Sequence, residues 1–414
     1  MPRQFTSQTL RALRHRNFRL FFSGQIISLT GTWLENVAQA WLVYRLTGSS
    51  ALLGLVAFAG QIPVFLLGPV AGHVADRLPR HRILIFTQTA SMVIALILAA
   101  LTLSGRIQIW QLFVLASLLG IVNAFDVPAR QSFLVEMVGR EDMINAIALN
   151  STMFNFARVA GPAIAGLLVA KVGEGWCFFG NGVSYIAVIA GLLLMRLDPQ
   201  PPRPETGASA WSNIRDGFIF IGHNMPIRNL LGTIAMLSFA GLPFIVLMPV
   251  FAEGILHSGA GGLGTLMASV GVGATAGALL LASRSNITGL SRWLAAAAIT
   301  FPLTLTAFAW STNLWLSMAL MLVAGFAMMV QVGSSNTLIQ SLVPDHYRGR
   351  VMSVYSMMLI GMNPLGAMVS GFSAAHWGAP LTITAGAIAC LLSAVRFLTI
   401  LPKFRESARE QLSR

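Results

Sequence analysis

Apolar stretches long enough to cross a bilayer alternate with short polar segments along almost the whole chain. A hydrocarbon core of about 30 Å takes roughly 20 helical residues. Twelve stretches meet that length, near residues 18–44, 51–73, 83–103, 109–128, 144–170 and 176–195, then 229–252, 259–282, 293–310, 314–337, 351–375 and 381–401. Between the sixth and seventh lies the longest polar stretch, 196–228, which opens with a proline-rich run from Asp198 to Pro204.

The two halves match. Displacing the sequence by 205 residues sets Gly54 on Gly259, Gly68 on Gly273, Gly72 on Gly277, Gly120 on Gly325, Gly161 on Gly366 and Gly166 on Gly371, without a gap. An apolar chain that repeats at half its length reads as two homologous membrane bundles in tandem, an architecture recurrent among secondary transporters. The expected fold class is an all-α membrane protein with twelve transmembrane helices in two pseudo-symmetric six-helix bundles. The expected domains are an N-terminal bundle over 1–195, a cytoplasmic linker over 196–228, and a C-terminal bundle with its tail over 229–414. In the linker, Trp211, Ile214, Phe218 and Ile221 share a helical face beside Arg215 and Asp216. That suits a short helix on the membrane interface; a plain solvated linker is the alternative.

Composition agrees with a membrane solvent. Hydrophobic residues make up 55% and charged residues 10%, against roughly 25% charged in soluble domains, and mean hydropathy is +0.72. The net charge of +13 is gathered in short arginine runs between spans, so it reads as topology and not as a nucleic-acid surface. With a cytoplasmic N-terminus, 22 of the 27 Lys and Arg fall inside, and only Arg45, Arg106 and Lys171 outside. Both termini are therefore expected in the cytoplasm. No cleavable leader is visible, because the apolar run after the first arginines is too long and lacks a small-residue cleavage site.

Enzyme chemistry finds no support. The seven histidines are scattered, Glu141 and Asp142 form the one adjacent acidic pair, and Cys177 and Cys390 sit in apolar stretches as packing residues. Lys171 follows Ala170 and Lys403 follows Pro402, whereas a P-loop needs Gly-Lys-Ser/Thr. No metal or cofactor is expected.

Between the second and third spans the chain reads Gly72-His-Val-Ala-Asp76-Arg77-Leu-Pro79-Arg80-His81-Arg82. This resembles the signature loop of the major facilitator superfamily, with Pro79 where that family has glycine. The stretches from Arg16 to Gln25, Tyr44 to Ser50, Pro128 to Gln131 and Ala157 to Pro162 resemble its branch of enterobactin exporters and macrolide efflux pumps. The resemblance covers nearly the whole chain. It implies the major facilitator fold, two halves rocking about a central site lined by helices one, four, seven and ten, and residence as a monomer in a bacterial inner membrane. Its implied partners are a small-molecule substrate, protons and the lipid bilayer, with no nucleic acid.

Gly72, Asp76, Arg77 and Arg80 form the implied gating loop. Gly72 would let the second span approach a neighbour closely. In the family Asp76 meets the start of helix eleven, here near Arg350 and Val351, and latches the cytoplasmic side; plain topology charge is the alternative. Gly161, Pro162 and Gly166 resemble the Gly-Pro motif of family members that export by antiport, and Pro162 frees a backbone carbonyl.

Polar residues within the spans supply the candidate chemistry. Gln25, Ser28, Thr32, Glu35 and Gln39 share one face of the first span, Asn123, Asp126 and Arg130 of the fourth, and Ser151, Asn155 and Arg158 of the fifth. Glu35 lies 17 residues into its span, so about 25 Å deep, with Arg158 at comparable depth. The expectation is that Glu35 faces Arg158 and exchanges a proton for substrate. A static ion pair, or a Glu35 that reaches the outer interface, are the alternatives. Asp126 is expected in a gating network with Arg130, with direct proton transfer or solvated charge as alternatives. Gln331 and Asn363 are the counterparts of Asp126 and Arg158 and candidate cavity residues. Trp33, Trp41, Phe244 and Met248 would line the cavity or pack ordinarily. The function expected is export of a small amphipathic molecule, siderophore or drug-like, by proton antiport; the alternative is an uptake permease or proton symporter on the same fold.

Overall fold

The structure, a computed structural model, describes residues 10–139, 141–197, 210–284 and 289–412. Arg3, Arg140, Arg203, Arg414 and the run from Asp198 to Pro204 lie outside them, as do the side chains of Trp211, Ile214, Lys403, Arg405 and Arg409.

The described residues are helical, with no strand among them. The first six long helices are Arg16–Thr47, Ser50–Arg77, Arg80–Leu103, Ile109–Val138, Met143–Val172 and Glu174–Leu193. The next six are Met225–Ile255, Gly259–Ala282, Leu290–Ala309, Leu314–Leu342, Asp345–Trp377 and Ala379–Leu412. Eleven of these are long and apolar enough to cross a membrane, the last of them over Ala379–Thr399. The first, at 32 residues, has the length but is diluted by its polar stripe, so the set is compatible with twelve crossings. This is the all-α, multi-pass membrane fold that the apolar pattern predicts. The seventh and eleventh spans are interrupted by π-turns at Leu237–Gly241, Phe251–Ile255 and Met357–Gly361.

The chain divides into two compact units. The first comprises Met1–Leu46 and Ala59–Glu205. Within it the third span packs along the fourth and sixth, and the fifth along both of those as well. At its arginine-rich end Phe18, Phe21, Leu84, Phe133, Met137 and Leu192 close a core. A short turn, Arg11–Arg14, docks on that end. The Ala12 amide donates to Asn145 Oδ1 at 2.8 Å, and Arg11 and His15 each reach Asp142 at 2.8 Å. Asn17 exchanges two hydrogen bonds with the backbone of Arg196, closing the first span onto the end of the sixth. At the opposite end Arg45 grips the buried Glu174 through two hydrogen bonds, of 2.7 and 3.2 Å.

The second unit comprises Thr206–Arg414 and also Thr47–Phe58. These opening residues of the second span belong here because Gly54 lies directly against Ala367 and Gly371 of the eleventh span. The eighth span packs along the tenth, the ninth along the tenth and twelfth, and the seventh along the twelfth. The linker does form a helix, Ala210–His223. It rests on the start of the eleventh span: Gly217 abuts the Arg350 carbonyl, Asp216 pairs with Arg350 at 3.4 Å, and Phe220 stacks on Tyr347 at 4.4 Å. Phe218 and Ile219 remain exposed while Ile221 is buried.

Two of the repeated glycine pairs do the same work in both units. Gly120 makes room for the Gly60 carbonyl and Gly325 for that of Val270, so the fourth span approaches the second as the tenth approaches the eighth. Gly161 makes room for the Thr30 carbonyl and Gly366 for that of Phe239. Gly72 departs from expectation: a methyl group there would meet nothing within 4 Å, so no neighbour among the described residues of its own unit uses its small size.

Candidate functional site

Glu35 is the single acid of the first span, only 3% exposed, and its partner is Asn181 of the sixth span, which donates an amide N–H to Oε2. Gly31, one turn earlier, makes that approach sterically open, because a side chain there would collide with Asn181 and Ser184. Ser184 in turn donates to the Asn181 carbonyl at 2.7 Å and to Oδ1 at 3.2 Å. Tyr185 adjoins Thr32 and Asn181 in the same group. The result is a buried polar knot joining the first and sixth spans.

Arg158 is not part of it, which corrects the expected Glu35–Arg158 pairing. The reason is angular. The fifth span meets the first at Trp33, whose Cβ abuts Gly161 and whose ring meets Phe154 edge-on at 5.9 Å. At 3.6 residues per turn, Glu35 is rotated about 200° from Trp33 and therefore points to the sixth span. Arg158 donates instead to Asn155 Oδ1 at 2.7 Å, one turn back on its own helix, and its Nε is buried without a partner. A charge held in a bilayer core costs about 2.5–3.5 kcal/mol even on lenient scales, and such residues mark ion or substrate paths.

Asp126 is buried and fully engaged. Thr87 and Gln88 of the third span donate to Oδ1 at 2.9 and 2.8 Å, and Arg130 reaches Oδ2 at 3.3 Å. The carboxylate thereby ties the third span to the fourth, as a member of the network expected with Arg130. Nearby, Arg80 is buried at the junction of the second and third spans. Its guanidinium donates to the carbonyls of Ala75 and Ser132, and to Glu136 Oε1 at 2.9 Å. Asp76 is 67% exposed and reaches Arg80 at 3.5 Å. Arg80 is thus the structural centre of the loop.

Of the remaining candidates, Gln25 and Ser28 are buried, and Thr32, Gln39, Asn123 and Asn155 are half-buried. Gly161, Pro162 and Gly166 all lie on the buried side of the fifth span, which continues through the proline. In the second unit Gln331 is buried with Oε1 unpartnered, next to the unpartnered hydroxyls of Ser334 and Ser335 on one face of the tenth span. Asn363 is half-buried and engaged. Trp41, Phe244 and Met248 are buried in packing, Phe244 against Phe301 at 6.1 Å, so the core reading of these three holds; Trp33 alone keeps an accessible edge. Among the described residues no group of His, Cys, Asp or Glu is arranged to hold a metal ion.

Sequence reasoning missed Asn181, Glu136, Thr87, Gln88 and Glu174. The signal for Asn181 was present, the one side-chain amide of its span, set between Gly180 and Gly182. For Arg45 and Glu174 it was two opposite charges in the loops poorest in arginine.

Comparison with known proteins places this geometry. The model of a family described as transmembrane secretion effector matches residues 7–414. The staphyloferrin A transporter of Staphylococcus aureus is 25% identical over 393 residues, covering 95% of this chain and 98% of that protein. The multidrug efflux pump Tap of Mycolicibacterium fortuitum is 26% identical over 385 residues, covering 91% and 93%. In fold, the crystal structure of the nucleoside transporter NupG is similar with a TM-score of 0.74 at 15% identity, covering 94% of this chain and 99% of that one.

Proposed function

Because this chain belongs to the transmembrane secretion effector family of the major facilitator superfamily, we propose that it exports a small amphipathic molecule in exchange for protons. The substrate class is siderophore or drug-like, in keeping with relatives named for a siderophore and for multidrug efflux. The chain works as a monomer in a bacterial inner membrane with both termini cytoplasmic, the orientation favoured by its arginine-rich loops. Residues 1–195 and 229–414 act as the two rocking halves around a site that each opens to one side in turn, with 196–228 as the linker. Asp76, Arg77 and Arg80 serve the cytoplasmic gate, and Gly161, Pro162 and Gly166 favour export over uptake.

The observation that carries this reading is Glu35: a carboxyl group buried in a membrane-spanning unit with a neutral amide, and no cation, as its partner. An acid so placed takes up and releases a proton without breaking an ion pair. One charge crossing 100 mV is worth about 2.3 kcal/mol and one pH unit about 1.4 kcal/mol. A single proton thus sustains a substrate gradient on the order of 10²–10³.

The test uses purified protein in vesicles preloaded with a fluorescent drug. Wild type should expel the dye when a pH gradient is imposed and stop when a protonophore is added. Glu35→Gln should lose the pH-driven component while retaining dye exchange at equal concentrations on both sides. Full pH-driven efflux in Glu35→Gln removes this residue from the proton path, and uptake in place of efflux supports the permease alternative.

A further inference from the structure

The fifth span carries a cation that its own bundle leaves unneutralised. Arg158 is half-buried midway along Met143–Val172. One guanidinium nitrogen is engaged by the Asn155 amide oxygen, and Nε is buried without a partner. Among the described residues of the first unit the buried and half-buried acids are all held elsewhere. Asn181 holds Glu35, Arg130 holds Asp126, Arg80 holds Glu136, Arg11 holds Asp142 and Arg45 holds Glu174.

Aromatic surface flanks this cation. Phe154 lies one turn before Arg158 and Gly161 one turn after, so the three share a face. Trp33 lies across that face, its Cβ on Gly161 and its ring against Phe154. Phe154 is exposed, and Trp33 and Arg158 are half-buried, so a small molecule has access. Pro162 has no N–H, so the backbone carbonyl of Arg158 also lacks its helical donor.

A guanidinium presents parallel N–H groups that match the two oxygens of a carboxylate, and an indole beside a phenyl ring favours an aromatic body packed edge-on or offset. We propose that Arg158, Asn155, Trp33 and Phe154 form a subsite for the carboxylate end of an aromatic organic acid. The inference rests on the transporter reading and narrows its substrate class to anionic amphiphiles.

The probes are naphthoate and its neutral isostere naphthamide, measured by equilibrium dialysis against the full chain in lipid nanodiscs. Wild type should bind naphthoate at least about tenfold more tightly than naphthamide, the advantage of a charge-assisted pair. Arg158→Gln should abolish that preference, Arg158→Lys should keep part of it, and Trp33→Ala should weaken both probes by a similar factor. Absence of naphthoate binding, equal affinity for the two probes in wild type, or a preference that survives Arg158→Gln overturns the subsite. The wild-type comparison decides by itself where a variant does not fold. Binding is read without a gradient, so failure here leaves proton antiport standing, and proton-independent transport in Glu35→Gln leaves this subsite standing.

Discussion

Asn181 of the sixth span donates its side-chain amide to the carboxyl group of Glu35 on the first, with both residues at most 3% exposed. The two are 146 positions apart in sequence, and the bond joins the first and sixth spans mid-length, between the Arg45–Glu174 pair at one end and the Asn17–Arg196 hydrogen bonds at the other. Buried polar pairs of this kind are effective only while complete, because either partner left alone bears its full desolvation cost.

Asn181→Asp converts the pair to two adjacent acids and makes stability depend on pH. Two carboxyl groups at hydrogen-bond distance share one proton, because ionising the second is opposed across a short, poorly screened distance; the unfolded chain gives up both protons as pH rises. The expected loss of stability relative to wild type therefore grows as pH rises from about 5 to about 8, reaching on the order of 3 kcal/mol. Asn181→Leu, which removes the donor without adding charge, should cost stability with a much flatter pH dependence. Thermal unfolding of the purified proteins across that range is the measurement, and parallel pH profiles for the two variants would refute the like-charge account.

Buried Arg80 and half-buried Glu136 make a second pair, with 8% and 13% of their side chains exposed and 2.9 Å between Nη1 and Oε1. Removing one partner of such a pair costs about 3–5 kcal/mol, whereas replacing both with apolar residues is often close to neutral. Arg80→Leu and Glu136→Leu should each lower the melting temperature more than the double variant does. Asp76→Asn should have little effect on melting, since its carboxylate is mostly in solvent and its contact with Arg80 is 3.5 Å long. A double variant as unstable as the sum of the singles would show that Arg80 acts through its backbone carbonyl partners alone.

The spans and the tandem repeat were legible because they are properties of local composition: a bilayer imposes a length, and close helix crossings require glycine at the same place in each repeat. Glu35, Asp126 and Arg158 were legible as unusual residues because charge inside an apolar span has few explanations. Their partners were not. Whether Glu35 faces Arg158 or Asn181 depends on how the first span is rotated, and that rotation is fixed by Trp33 packing on Gly161 and by Gly31 packing on Asn181, contacts between residues far apart in the chain. Arg80 shows the same limit from the other side. One arginine in a basic loop reads as topology, and only the fold reveals that it turns inward to Ser132 and Glu136 while its neighbours Asp76 and Arg82 stay in solvent.

Two glycines of the same span separate signature from packing. At Gly72 an added methyl group meets nothing within 4 Å, so Gly72→Ala should fold as well as wild type. It is even expected to gain up to about 1 kcal/mol from helix propensity. At Gly60 the situation is set by its partner: Gly120 of the fourth span lies against the Gly60 carbonyl, and a methyl group on Gly120 would overlap that backbone. Backbone cannot rotate away as a flexible side chain does, so Gly120→Ala should separate the second and fourth spans and cost about 1–3 kcal/mol. Yield and melting temperature of the two variants should diverge in that order. A tolerant Gly120→Ala would mean the crossing has slack, whereas a destabilised Gly72→Ala would mean that a neighbour reaches that glycine during the transport cycle or in the folded ensemble.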